Sequence, residues 1–73
     1  MNKDEKRAEF LQTLRKRKGL TQQELAEMVH YSDKNVSKWE TGKSFPTNPN
    51  VILKLAEIFE VSFGVLMYGE FKT

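Results

Sequence analysis

Residues 21–42 have the sequence TQQELAEMVHYSDKNVSKWETG, which contains two helix starts in close succession. Thr21, followed three residues later by a glutamate, opens a capping box, and this pattern predicts a helix over residues 22–29. Ser32 is the next candidate N-cap, and the apolar spacing after it predicts a second helix over residues 33–41. The stretch therefore predicts two short helices with a very short connection.

Only His30 and Tyr31 lie between the first helix and the cap of the second. So short a connection favours a steep crossing, near the ~90–120° of a helix-turn-helix, and the small Ala26 would let the two helices approach. An ordinary helical hairpin would carry similar caps. The second helix, however, has an outward face of polar side chains that can bond to base edges or phosphates. These side chains are Asp33, Lys34, Asn35, Ser37 and Lys38.

Helix signals continue on both sides of this stretch. A first helix is predicted over about residues 3–18 and ends at Gly19, a residue type that favours a helix terminus. Downstream, Asn48-Pro49 predicts a helix over 49–59, and Ser62 predicts a last helix over 63–68. The sequence has no strand signal or repeat. It therefore predicts an all-α fold, a compact five-helix domain over residues 1–73.

The composition excludes several function classes. The chain has 73 residues, no cysteine and one histidine, which leaves no material for disulfides or thiolate metal sites. It has neither a glycine loop for phosphate nor paired carboxylates outside helix faces, so we expect no enzyme, no cofactor and no metal. No apolar run reaches the ~20 residues of a membrane span, and we expect a cytoplasmic protein. Residues 1–18 contain seven Lys or Arg against three acids, which suits a protein that faces a polyanion.

Three segments, in order along the chain, resemble the phage-repressor/Cro type of helix-turn-helix domain, also called the xenobiotic-response-element family. They are LRKRKGLTQQELA (14–26), SDKNVSKWETGKSFP (32–46) and LKLAEIFEVS (53–62). The resemblance spans residues 11–69. It implies a lambda-repressor-like fold and sequence-specific binding of double-stranded operator DNA, with helix 33–41 in the major groove. It further implies a transcriptional regulator, for which we expect repression.

The resemblance also implies roles for single residues. The positions that match base-contacting residues are Asp33, Lys34 and Lys38. The positions expected to contact DNA phosphates are Gln22, Asn35, Ser37, Thr41 and Lys43. Asp33 has an equally good second interpretation, since an acid in the first turn of a helix favours its dipole. Arg15 and Glu40 match a pair that forms an internal salt bridge, and Trp39 is expected in the core beside Val36.

Two departures from the family pattern affect the turn and the last helix. His30 stands where the family usually has glycine, at a position that favours a left-handed backbone. Gly64 and Val65 stand where the family commonly has polar or acidic residues. This leaves three candidates for an exposed apolar patch, Phe63, Val65 and Tyr68. We expect this patch to serve a homodimer that binds an inverted repeat. The alternative function is an antitoxin-type or other protein-interaction module with the same fold.

Overall fold

The computed structural model describes residues 3–70, which form five α-helices and no strand. The helices are α1 (Lys3–Arg17), α2 (Gln22–Val29), α3 (Asp33–Thr41), α4 (Pro49–Phe59) and α5 (Phe63–Tyr68). The predicted all-α, five-helix architecture is confirmed over this part of the chain. The predicted domain also included residues 1–2 and 71–73, which lie outside the described residues.

The end of α1 differs from the prediction by one residue, because the helix ends at Arg17 and not at Lys18. The amide of Gly19 donates to the carbonyl of Lys16 at 3.0 Å, and that of Leu20 donates to the carbonyl of Arg15 at 3.1 Å. These two bonds form a Schellman motif, which satisfies the last carbonyls of the helix. Gly19 adopts φ 76°, and the backbone leaves the helix there.

Side chains cap the starts of α2 and α3. At α2, the Thr21 hydroxyl accepts from the amide of Glu24 at 3.0 Å, and the Glu24 carboxylate accepts from the amide of Thr21 at 2.8 Å. At α3, Ser32 and Asn35 make the same reciprocal pair, with both distances at 3.3 Å. Each cap supplies acceptors for amides that have no partner within the helix, a contribution of about 1 kcal/mol.

The turn between α2 and α3 has a left-handed residue, as the sequence predicted. His30 adopts φ 62° and ψ 40°, and the next amide, that of Tyr31, donates to the carbonyl of Ala26 at 2.9 Å. This hydrogen bond closes α2 and turns the chain directly into the cap of α3. Ala26 is buried, in agreement with a small residue where the two helices approach.

Each helix contributes one completely buried aliphatic side chain to a single core. Burying such a side chain stabilises the fold by about 1.5–3 kcal/mol. The five are Leu11, Leu25, Val36, Leu55 and Leu66. Trp39 is buried among them, as predicted, and its ring meets that of Tyr31 edge-on with the centroids 5.3 Å apart. None of the helices in residues 3–70 is long and apolar enough to cross a membrane.

Candidate nucleic-acid interface

The two faces of α3 differ in chemistry. Val36, Trp39 and Glu40 are buried against the rest of the protein, whereas Lys34 and Lys38 are exposed. Residues four apart lie on the same face of a helix, so the two ammonium groups extend from one side of α3. The structure thus brings two of the predicted base-contacting residues together on one outward surface.

The remaining predicted contact residues of α3 are distributed around this surface. Asp33 is exposed in the first turn and Thr41 in the last, where the Thr41 hydroxyl donates to the carbonyl of Lys38 at 3.3 Å. Ser37 is half-buried. Lys43 is exposed just beyond the helix, and its amide donates to the same Lys38 carbonyl at 3.0 Å. The exposed groups lie along the full length of α3.

Asn35 has a structural function in addition to the predicted phosphate contact. Its side-chain oxygen accepts from the Ser32 hydroxyl at 2.8 Å as well as from the Ser32 amide. The side-chain oxygen is therefore occupied by the cap of α3, whereas the side-chain nitrogen of Asn35 has two hydrogens that it can donate. Any contact of Asn35 with a phosphate must use that nitrogen as the donor.

Arg15 and Glu40 form an ion pair beneath α3. The Arg15 Nε donates to Glu40 Oε2 at 2.6 Å and Nη2 donates to Oε1 at 3.1 Å, a two-point contact. Arg15 Nη1 also donates to the carbonyl of Leu20 at 2.7 Å. Arg15 is 8% exposed and Glu40 is 7% exposed, so each charge depends on the other for compensation. The pair joins α1, the start of α2 and the end of α3.

Gln22 belongs to the same network, a connection that the sequence did not reveal. Its Nε2 donates to Glu40 Oε1 at 3.1 Å, and the side chain is half-buried. Eighteen residues separate the partners, so no local pattern could have found this bond. The bond holds the Gln22 amide group at the first turn of α2, beside backbone amides that have no acceptor within the helix.

One carboxylate lies at that same helix start. Hydrogen bonds from the backbone and then the hydroxyl of Thr21 lower the pKa of Glu24 below its ordinary value of 4.5. These bonds favour the ionised form. Glu24 therefore remains negative at neutral pH and occupies part of the positive end of α2.

Known proteins resemble the chain in sequence and fold. The sequence matches the Helix-turn-helix family over residues 11–66. It is 42% identical over 62 residues to the HTH-type transcriptional activator BcrR of Enterococcus faecalis, and the match covers 85% of this chain and 30% of that protein. The chain thus spans less than a third of the length of this relative.

The fold is similar to the crystal structure of the clp gene regulator ClgR from C. glutamicum. The TM-score is 0.74 at 22% sequence identity, and the match covers 92% of this chain and 86% of that one. Identity at this level supports the fold alone. The family match covers more than half of the chain and confirms the resemblance found in the sequence. The chain belongs to the helix-turn-helix family.

Proposed function

We propose that this domain binds double-stranded DNA sequence-specifically, with α3 in the major groove, and that it regulates transcription. The observation that carries the proposal is the two-sided chemistry of α3. Its inner face is buried with Val36 and Trp39, while Lys34 and Lys38 extend outward. The major groove admits one α-helix, and lysine donates well to the O6 and N7 acceptors of guanine.

The first turn of α2 supports a phosphate contact next to this helix. The Gln22 amide nitrogen has two hydrogens, of which one is directed to Glu40. The second hydrogen and the first backbone amides of α2 can donate to one phosphate oxygen. Such a contact would fix the orientation of α3 without selecting a sequence.

The phosphates that flank the groove are proposed to be contacted by four residues in and after α3, namely Asn35, Ser37, Thr41 and Lys43. Lys43 contributes a full charge, and each such contact releases counterions from the DNA. Asp33 is proposed to accept from a cytosine amino group at the start of α3. Its position in the first turn also favours the helix dipole, so its removal should affect stability as well as binding.

The α5 helix supports a homodimer. Phe63 is 42% and Tyr68 is 50% exposed, and Val65 between them is half-buried. A two-fold dimer would place two copies of α3 on half-sites about 34 Å apart, so the operator would be an inverted repeat. The sequence resemblance favoured a repressor, whereas the relative in E. faecalis is named an activator. We propose regulation in either direction, set by the position of the operator.

Selection from a pool of random DNA duplexes tests this function. The pool is incubated with the protein, and the retained duplexes are sequenced. Enrichment of an inverted repeat with half-sites one helical turn apart is the expected result. Enrichment of a single half-site would support DNA recognition and contradict the dimer. No enrichment at low salt would contradict DNA recognition and favour a protein partner.

A further inference from the structure

The loop after α3, residues 42–48, lies beside the proposed DNA-contacting surface and contains no helix. We propose that Arg7 of α1 is a positioning residue for this loop, and that it holds Lys43 at the DNA backbone by packing on the ring of Phe45. The inference rests on the proposed DNA-binding function. It assigns an effect on DNA affinity to a residue outside the helix-turn-helix.

The central contact is a cation–π interaction. The Arg7 Cζ lies 4.0 Å from the centroid of the Phe45 ring, well within the ~6 Å over which a guanidinium is attracted to an aromatic face. The Arg7 side chain is only 14% exposed, and such contacts strengthen when water is excluded. Phe45 is half-buried and packs against the core. The ring is thus held between the core and the guanidinium.

A hydrogen bond to Asp4 accompanies the stacking contact of the Arg7 guanidinium. Its Nη2 donates to Asp4 Oδ1 at 3.1 Å, a residue one turn earlier on the same helix. Its Nε is buried and has no hydrogen-bond partner within residues 3–70. A buried donor without an acceptor is unfavourable, and the contacts with Asp4 and Phe45 are favourable interactions that oppose this cost.

The loop starts beside α1, and its backbone is bonded to the end of α3. Gly42 lies beside α1, where an added Cβ would be in ordinary van der Waals contact, 3.8 Å from the carbonyl oxygen of Asp4. The amides of Lys43 and Ser44 both donate to the carbonyl of Lys38, at 3.0 and 3.4 Å. The Lys43 backbone is therefore bonded to the end of α3, and it follows directly on the residue that lies beside α1.

The end of α5 fixes α1 from its other side. A Cβ at Gly69 would lie 2.7 Å from the Arg7 Cα, so only glycine allows this approach. Lys6 and Glu70 form an ion pair next to it. The first turns of α1 thus lie between α5 and the loop, and the Arg7 side chain connects them to the ring of Phe45.

A direct contact between Arg7 and DNA fits the structure less well. The guanidinium is covered by Phe45 on one face, bonded to Asp4 and largely shielded from solvent. Its charge is also partly compensated by the carboxylate of Asp4. Lys43, by contrast, is exposed at the outer surface of the loop. Arg7 is therefore expected to act through Lys43.

A double-mutant cycle tests the inference by fluorescence anisotropy with the selected duplex. Arg7→Met keeps a long unbranched side chain but removes the cation, and we expect it to lower DNA affinity about 3- to 30-fold. Lys43→Ala should flatten the slope of log affinity against log salt by about 0.9. In the Lys43→Ala background, Arg7→Met should have almost no further effect. Phe45→Leu should reproduce Arg7→Met.

Lys54→Met is the matched control, because it removes one exposed charge from α4. Its effect should be small and equal in both backgrounds. Circular dichroism would establish that every variant is folded at the assay temperature. Additive effects of Arg7→Met and Lys43→Ala would overturn the inference, because they would mean independent contacts. Unchanged affinity in Arg7→Met would overturn it as well.

Amide exchange in the DNA-free protein separates this inference from the proposed function. In Arg7→Met, the Lys43 and Ser44 amides should exchange faster by NMR, whereas the Tyr31 amide should not change. Faster exchange in a protein that binds no duplex would support the role of Arg7 in holding the loop and refute DNA binding. Unchanged exchange would refute the positioning role even if the protein binds DNA.

Discussion

The domain contains two helix connections with the same backbone geometry, one between α2 and α3 and one between α4 and α5. His30 adopts φ 62° and ψ 40°, and Glu60 adopts φ 57° and ψ 42°. The amides that follow them donate to the carbonyls of Ala26 and Ala56, at 2.9 and 3.0 Å. In both connections the next residue is a serine N-cap. The turn geometry alone therefore cannot identify a DNA-recognition helix.

The helices that follow these two turns differ in their outward side chains. After the first turn, α3 exposes Lys34 and Lys38 and is joined to α1 by the ion pair of Arg15 with Glu40. After the second, α5 has the sequence FGVLMY, with no charged residue, and is held by buried apolar packing. Local capping chemistry thus sets the turn in both helix pairs, α2–α3 and α4–α5. The outward side chains of the helix after the turn determine what each pair can bind.

The largest expected effect comes from breaking the ion pair of Arg15 with Glu40, which joins α3, and not α5, to α1. Glu40→Ala should lower the free energy of unfolding by about 3–5 kcal/mol, because Arg15 would stay buried without a counter-charge. Urea denaturation followed by circular dichroism measures the loss. The double variant Arg15→Met with Glu40→Leu should recover most of it, since apolar side chains fill the same space. A loss below about 1 kcal/mol for Glu40→Ala would contradict a buried pair.

The next effect is on DNA binding, and it compares substitutions on α3 with a substitution on α5. Lys34→Ala or Lys38→Ala should each weaken binding by about 1–3 kcal/mol and relax base preference at one half-site position. Phe63→Ser on α5 should leave base preference unchanged and lower affinity equally for all sequences. Binding assays with half-site variants measure both outcomes. A change of base preference in Phe63→Ser would mean that α5, and not only α3, contacts the bases.

A smaller effect should appear at the two left-handed residues. His30→Gly and Glu60→Gly should each raise the free energy of unfolding by about 0.5–1 kcal/mol, because glycine accepts positive φ and the gain exceeds its extra freedom in the unfolded chain. Glu60→Gly should gain more, since histidine tolerates this backbone better than glutamate does. Denaturant titration gives both values. Destabilisation by either substitution would mean that the side chain makes a contribution beyond the turn.

The smallest effect concerns pH, and it sets the cap of α2 apart from that of α4. Hydrogen bonds from Thr21 lower the pKa of Glu24. The ionised carboxylate therefore stabilises the fold above about pH 4.5, and this stabilisation is lost as the pH falls through the lowered pKa. The α4 cap, in which Asn48 accepts from the Asn50 amide at 2.9 Å, contains no titrating group. Glu24→Gln should make the melting temperature less dependent on pH below 4.5. An unchanged pH profile would contradict the lowered pKa.

The sequence predicted the helix bounds well because caps and turns are local. Thr21, Ser32, Asn48 and Ser62 all cap within three residues. The left-handed turn at Glu60 was missed, because glutamate gives no sign of positive φ. The role of Asn35 in the α3 cap was also missed, since the usual partner at that position is glutamate or glutamine.

The polar network around the interface needed the tertiary structure. Gln22 meets Glu40 across 18 residues of sequence, and Arg7 contacts the ring of Phe45 from a distant part of the sequence. Such contacts depend on how the helices cross, which periodicity does not determine. The outward position of Lys34 and Lys38 was predictable, because one buried face of a short helix implies its opposite.

Guanine methylation tests most directly whether α3 enters the major groove. The N7 atom of guanine lies in that groove, so methylation there should abolish binding at the guanines contacted by Lys34 and Lys38. Lys34→Ala should lose sensitivity to methylation at one guanine of each half-site, and Lys38→Ala at another. Binding that is indifferent to N7 methylation, or an unchanged pattern in both variants, would contradict recognition of DNA by α3.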